Sequence, residues 1–447
     1  MTELLLGLDV GTTYCKAVVL EPSGAEVSQA RSRTPWTQVA TGAELDPEEI
    51  VRATLAAAAE ALANGPAGVV AAVGVAGMAE TGVLLDRHGR PVGPAIAWHD
   101  ARGADEAAEI AAQFGARAFA ERTGLPASAL CSASKLRWQL SRLPAAARGV
   151  RWLGIPEWVA RSLGAAEVAE LSLASRTGLF ELVAGVWWSE ALEWLGVQAD
   201  FMAEPVQAGV QIGRVGQAFA PGRGAAIAIA GHDHLAAMVG ADADREGDVL
   251  LSSGTAEVIV RTSPAGLPPG RIADAVAAGV TVGRHVLPDR WALLSGNELC
   301  VAQAGVLKAL GVEGQTERDA LTESVAGLDP AETPPRLAAF GGPRPLTRAD
   351  LPPEATPASV WRAALEAGAD MSARTLSRSN AVAGPHGRIV ATGGGGRGAA
   401  ARAAKEGRLG PIEWSSVQEA TARGAALLGG WSVGMAESDA SAVGGFS

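Results

Sequence analysis

The chain has 447 residues, 48% hydrophobic and 19% charged, enough for two or three well-cored domains. Its net charge of -11 argues against nucleic acid as a partner, since phosphate-backbone binding wants a basic face. No stretch reaches the ~18 uncharged apolar residues of a membrane span, and Cys15, Cys131 and Cys300 are scattered as free thiols of a reducing cytoplasm are, not as a disulfide framework.

The first element is the most informative. Residues 4–10 form an apolar run that delivers Asp9; Gly11, Thr12 and Thr13 then turn, and a second strand covers 16–20, starting at Lys16. No basic region precedes the run, so it is not a secretory signal. Glycine lets the backbone turn tightly, so that N–H groups can point at phosphate oxygens. Thr12 and Thr13 add hydroxyls, Lys16 adds a charge, and Asp9 is placed to hold magnesium through water. The pattern is neither a Walker loop nor GxGxxG, and taken alone an ordinary buried strand and hairpin turn explains it as well.

A helix is predicted over 48–63, after Asp46-Pro47 and with acidic residues in its first turn. Apolar strands follow at 69–76 and 82–85, and a short strand over 91–98 leads into Trp98-His99-Asp100-Ala101-Arg102. A more helical middle runs to a strand at 225–230, which delivers Gly231-His232-Asp233. The opening pattern then repeats, with a strand over 248–253, a Gly254-Thr255 turn and a return strand over 257–261. A strand over 388–391 feeds Thr392-Gly393-Gly394-Gly395-Gly396 and a helix over 397–405. Residues 264–270 and 343–357 read as surface loops, and 437–447 as a frayed tail. No metal-ligand spacing stands out among the cysteines and the six histidines. The repeat predicts an α/β chain of two lobes, 1–240 and 241–447, with a nucleotide between them.

In chain order, Gly7-Leu8-Asp9-Val10-Gly11-Thr12-Thr13, Gly74-Val75-Ala76-Gly77-Met78, Trp98-His99-Asp100-Ala101-Arg102, Ala174-Ser175-Arg176-Thr177-Gly178, Gly231-His232-Asp233, Ser253-Gly254-Thr255-Ala256-Glu257, Thr392-Gly393-Gly394-Gly395 and Gly424-Ala425-Ala426 span nearly the whole length. With them the chain resembles the FGGY carbohydrate kinases, within the actin, hexokinase and heat-shock chaperone ATPase superfamily. The resemblance implies two ribonuclease H-like (actin-like ATPase) lobes, ATP and magnesium as cofactors, a small sugar or polyol as substrate, and the homodimers common among relatives. It makes Asp233 the general base that takes the proton from the sugar hydroxyl, where the residue alone reads more readily as a helix N-cap. It sets Asp9 at the magnesium ion and Thr12, Thr13 and Lys16 at the β- and γ-phosphates, with Gly254 and Thr255 opposite them. Gly393, Gly394 and Gly395 would lie against adenosine.

The substrate side is set by Glu80, Trp98 and Asp100. The resemblance puts a substrate-touching glutamate at Glu80 in glycerol kinases and a histidine there in many xylulokinases. Trp98 would stack on the sugar, and Asp100 and Arg102 would orient hydroxyls; Trp98 reads equally as core, and Asp100–Arg102 as an ion pair across a turn. Lys135 and Trp138 read as packing and surface residues. The arginine that glycerol kinases carry at Ala79 and their aromatic at Leu130 are missing, as is the Met-His of xylulokinases at Ala79-Glu80. His234 stands where asparagine or glutamine often follows the base, Arg397 where serine or asparagine follows the glycines, and Glu170 where the family has an aspartate. The expectation is a kinase for a ketose or polyol, with a pentulose favoured. An actin-like ATPase switch acting on a protein partner, and a sugar sensor without turnover, are the competing readings.

Overall fold

Leu4 through Val10 are buried without a break, which is what a central strand with both faces covered requires. The strand Thr2–Val10 pairs in parallel with Gly68–Gly77 and antiparallel with Tyr14–Leu20. Ala226–His232 continues the parallel side, and Gln211–Arg214 and Glu26–Arg33 form the two edges. The computed structural model describes residues 2–143, 151–253, 257–329, 334–337, 340–342, 346–396 and 398–435. They form two compact units: Met1–Arg245 with Pro264–Ala292 and Glu419–Ser447, and Glu246–Ser263 with Leu293–Gln418.

In the first unit the two faces of the central strand meet different helices. Leu4, Leu6 and Leu8 join the core with Ile50, Ala57, Ala58 and Ala61 of the helix Pro47–Asn64. Asp46 caps that helix, accepting hydrogen bonds from the Glu48 and Glu49 N–H groups at 2.8 and 3.0 Å. Leu5 faces the other way, against Ala422 and Ala426 of the helix Ala420–Trp431. Backbone approach is unusually close on that side. A Cβ on Gly7 would stand 1.8 Å from the Ala422 carbonyl oxygen, and one on Gly74 the same distance from that of Ala425. The helix Asp233–Gly240 meets the same terminal helix, where a Cβ on Gly424 would lie 1.9 Å from the Ala236 oxygen. Gly424→Ala is therefore expected to lower the unfolding free energy by at least ~1–3 kcal/mol, the usual cost of overpacking. Thermal or urea unfolding checks it, and an unchanged midpoint would mean that the two helices part freely.

The second unit repeats the opening pattern. Val249–Ser253 pairs antiparallel with Glu257–Pro264 and in parallel with Ile389–Gly393, which pairs in parallel with Glu413–Trp414. The helices Pro357–Ala383 and Ala399–Leu409 carry Val360, Trp361, Ala364, Leu365 and Ala401 into a core shared with Val306.

The expected boundary at 241 lies close to the end of the first segment, but two later segments join the first unit. Residues 419–447 join it because their small-residue helix is seated on the first sheet. Residues 264–292 do so because Pro269–Ala277 packs on the helix Ala116–Thr123 and the strand after it meets the end of that helix, with Val282 N–H donating to Gly124 O at 2.9 Å. The strand expected over 91–98 shrinks to Ala95–Ile96. The loop expected over 264–270 gives way to a helix at Pro269, and residues 343–345 and 437–447 lie outside the described residues. Glu26–Arg33 and the hairpin of Trp36–Val39 and Gly42–Leu45 are strands that polar composition concealed.

Candidate active site

Two carboxylates come to the same edge of the first sheet. Asp9 is level with Ala76 on the middle strand, and Gly231 is level with Ala76 from the other side. The strands that deliver Asp9 and Asp233 are thus two spacings, roughly 10 Å, apart at their carboxyl ends, where open α/β sheets bind ligands. The charges feel each other: burial raises Asp9 to about 7, Lys16 opposes this, and the charges of Asp233 and Glu419 add to it. Lys16 Nζ lies 3.7 Å from Asp9 Oδ2 and 2.6 Å from Glu419. Asp9 Oδ1 is buried and accepts no hydrogen bond among the described residues. A buried oxygen without a donor beside a second carboxylate suits a hydrated cation.

The turn between the first two strands is stapled from outside. Thr34 Oγ1 donates to Gly11 O at 2.7 Å, Trp36 Nε1 to Thr12 O at 2.6 Å, and Thr34 N–H to Thr13 O at 3.1 Å. Trp98 Nε1 donates to Thr12 Oγ1 at 3.0 Å. Three successive carbonyls are thereby held by Thr34 and Trp36. Trp36 and Thr34 escaped the sequence reading, since the stretch around them has no apolar period. Trp98→Phe keeps an aromatic face and removes one hydrogen bond of ~0.5–1.5 kcal/mol. The expected result is a KM for ATP raised by up to ~10-fold with little change in melting temperature; an unchanged KM would leave the bond without a role at the turn.

Asp233 opens the helix Asp233–Gly240. Its Oδ1 accepts the His234 N–H at 2.7 Å and lies 3.2 Å from His232 Nε2 and 3.9 Å from His234 Nε2. Burial pushes His232 down to about 3, so its ring is neutral. The His232 N–H donates to Ser172 Oγ at 2.9 Å, and Ser172 donates in turn to buried Glu170 at 2.5 Å. Burial raises Glu170 to about 7 and Glu157, beneath it, to about 8. The terminal helix reaches the same point, with Thr421 Oγ1 donating to Asp233 O at 3.3 Å.

Glu80 sits nearby in the sequence of the middle strand's exit, in left-handed backbone at φ 62°. Such a conformation costs on the order of 1–3 kcal/mol in a non-glycine residue and marks functional sites. Ser132 Oγ donates to its carbonyl at 3.1 Å, and Arg176 Nε to its Oε1 at 2.7 Å, so the carboxylate is held at a fixed angle. In the second unit, Ser253, Leu299, Gln303, Leu307, Arg318 and Gly394 line a cavity beside the turn Gly394–Gly396. Gly254 and Thr255 lie outside the described residues, as does Arg397.

Residues 4–240 match the model for the FGGY family of carbohydrate kinases, N-terminal domain. The chain belongs to the FGGY family of carbohydrate kinases. As an FGGY kinase it is an ATP-dependent phosphotransferase that acts on an alcohol group of a sugar or polyol. It is 31% identical over 474 residues to glycerol kinase from Bordetella parapertussis, covering 97% of this chain and 89% of that protein. It is 27% identical over 265 residues to gluconokinase from Bacillus subtilis, covering 58% of this chain and 52% of that one. The fold matches xylulose kinase from Rhodospirillum rubrum at a TM-score of 0.82, with 22% identity over 95% of this chain and 89% of that one. It matches Plasmodium falciparum glycerol kinase with ADP at 0.82 as well, with 18% identity over 98% and 91%. The fold is therefore shared with these sugar kinases, and no helix of the described residues is long and apolar enough to cross a membrane.

Two sequence expectations for this kinase need correction. Asp100 is not open to a hydroxyl. Its Oδ1 accepts from the Arg102 N–H and Nε at 2.8 and 3.0 Å, and its Oδ2 from Ala43 N–H and Arg102 at 2.8 Å. The pair is buried and fixes the turn against the strand Gly42–Leu45, and Glu44 completes the charge. Lys135 is not on the surface: it is buried, and its Nζ donates to Trp98 O at 2.9 Å and to Ala129 O. Burial lowers it to about 8. Its position inside a helix of alternating polar residues gave no sign of this.

Proposed function

We propose that the chain transfers the γ-phosphate of ATP, as its magnesium complex, to a hydroxyl of a small ketose or polyol, most favourably a pentulose. The observation that carries this reading is the pair of carboxylates at one sheet edge, one with an unsatisfied buried oxygen and one flanked by imidazoles. Asp9 would hold the magnesium ion, which supplies charge neutralisation to the phosphates when bound. Thr12, Thr13 and Lys16 orient the phosphates; Gly254 and Thr255 are proposed to act with them, and Gly393, Gly394 and Gly395 to pass adenosine closely. Asp233 takes the proton of the attacking hydroxyl. Glu80 accepts from a substrate hydroxyl, with Arg176 fixing its angle, and the Trp98 face packs on C–H groups.

Glycerol is disfavoured because Ala79 offers no guanidinium and Leu130 is an exposed aliphatic side chain. A release assay for ADP over D- and L-xylulose, D- and L-ribulose, fructose, glycerol, gluconate, erythritol and ribitol tests the reading. A pentulose with the highest kcat/KM is expected; a preference for glycerol or gluconate would overturn the acceptor, and steady ATPase without any acceptor would favour the switch. Asp9→Ala is expected to raise the magnesium concentration for half-maximal turnover. Unchanged magnesium dependence would make Asp9 a structural residue.

A further inference from the structure

The base is surrounded by more nitrogen than proton transfer needs. His232 ends the strand Ala226–His232, and His234 lies in the first turn of the helix Asp233–Gly240. Their Nε2 atoms approach one and the same oxygen, Asp233 Oδ1, at 3.2 and 3.9 Å. One ligand atom from each of the three residues lies within 4.8 Å of the other two, and the rings meet edge to face with centroids 5.3 Å apart. The sequence showed no ligand spacing here because adjacent residues rarely converge. They converge at this point because the chain changes from strand to helix between them.

The donor set has a preference. Two imidazoles and a carboxylate suit zinc and its first-row neighbours, at bonds of about 2.0–2.1 Å. Magnesium takes oxygen ligands and keeps its water, so the imidazoles select against the cation that accompanies ATP. His232 Nδ1 is buried and makes no hydrogen bond among the described residues, so no partner on that nitrogen fixes the ring. The His232 side chain is 7% exposed, while those of Asp233 and His234 are 22% and 29% exposed, which gives one buried ligand and an open side for entry. The Asp9 carboxyl is close enough to Asp233 for the two to feel each other.

We propose that His232, Asp233 and His234 form an inhibitory site for a borderline-soft divalent cation such as Zn2+, whose binding occupies the carboxylate that otherwise takes the hydroxyl proton. The inhibitory half rests on Asp233 being the base; the binding half does not.

Cobalt titration of the full chain, read by visible absorption without nucleotide, tests the site. One Co2+ per chain is expected, with the strong bands of a four- or five-coordinate ion, displaced by added Zn2+. His234→Gln is expected to weaken binding by at least ~10-fold, since even loss of a supporting partner costs ~10–100-fold. His232→Gln should do the same, with thermal melting alongside because that ring is buried. In the ADP-release assay, Zn2+ should abolish turnover at the concentrations that displace Co2+, and at correspondingly higher ones in His234→Gln. Only the faint spectrum of hydrated cobalt, or equal affinity in wild type and His234→Gln, would overturn the site. Loss of the bands in Asp9→Asn but not in His234→Gln would overturn it by placing the ion at Asp9. Should Asp233→Asn keep full turnover, the base assignment and the inhibition fail, while the cobalt spectrum still reports the three ligands.

Discussion

Asp233→Asn is expected to bind ATP and sugar with little change while kcat falls ~10²–10⁴-fold, the usual worth of a general base. The substitution is close to isosteric. The asparagine oxygen can still accept the His234 N–H now 2.7 Å from Oδ1, but a neutral amide cannot take the hydroxyl proton. Phosphoryl transfer depends mostly on positioning and charge, so the surviving residues leave slow turnover, not none. Single-turnover kinetics with calorimetric binding separates the two contributions. Near-wild-type kcat would remove Asp233 from proton transfer and leave it as the first residue of its helix. A fall in affinity equal to the fall in kcat/KM would make it a substrate ligand only.

The parts of this site that could be read from the sequence are those where backbone and chemistry coincide. Asp9 and Asp233 each follow an apolar run, and a run buried on both faces predicts a parallel strand whose end is the sheet edge. The repeat of strand, turn and return strand is likewise plain, and the antiparallel and parallel pairings of Val249–Ser253 reproduce those of Thr2–Val10. What was hidden depends on distant partners. Trp36 reaches Thr12 from a polar hairpin. Asp100 looks like a free carboxylate until Ala43 and Arg102 are seen to use both oxygens. The terminal helix has little apolar period, being mostly alanine and glycine, so nothing in the pattern said which sheet it would cover. Its choice follows from the glycines at 7, 74 and 424, whose missing side chains permit the approach.

Lys405→Met is expected to cost the second unit about 3–5 kcal/mol at neutral pH, because it leaves a buried charge without its partner. Glu257 is fully buried, and Lys405 Nζ pairs with its Oε2 while also donating to Ser253 Oγ at 3.3 Å. Ser253 Oγ, Ser372 Oγ and Asn297 Nδ2 donate to the same carboxylate, the first at 2.9 Å and the last at 3.0 Å. Burial alone would raise Glu257, but the charge and hydrogen bond of Lys405, with those of Ser372 and Asn297, hold it below its ordinary 4.5. In wild type its contribution is present above 4.5 and is lost as the pH falls through the depressed value. Without Lys405 burial dominates and the folded value rises above 4.5. The variant then has no penalty below 4.5, and loses stability as the pH climbs from there through the raised value. Its deficit against wild type is thus largest at neutral pH and smallest in acid, as urea unfolding at pH 7 and 5 would show. Glu257→Gln combined with Lys405→Met removes both charges and should recover most of the loss. Ser253 and Glu257 flank residues 254–256, and Lys405 lies on the helix after the glycines, so the same ion pair ties two segments proposed to meet the nucleotide. The single variant should accordingly raise KM for ATP more than KM for the sugar. A deficit independent of pH, or no recovery in the double variant, would mean that packing of the lysine stem and not its charge is what the second unit requires.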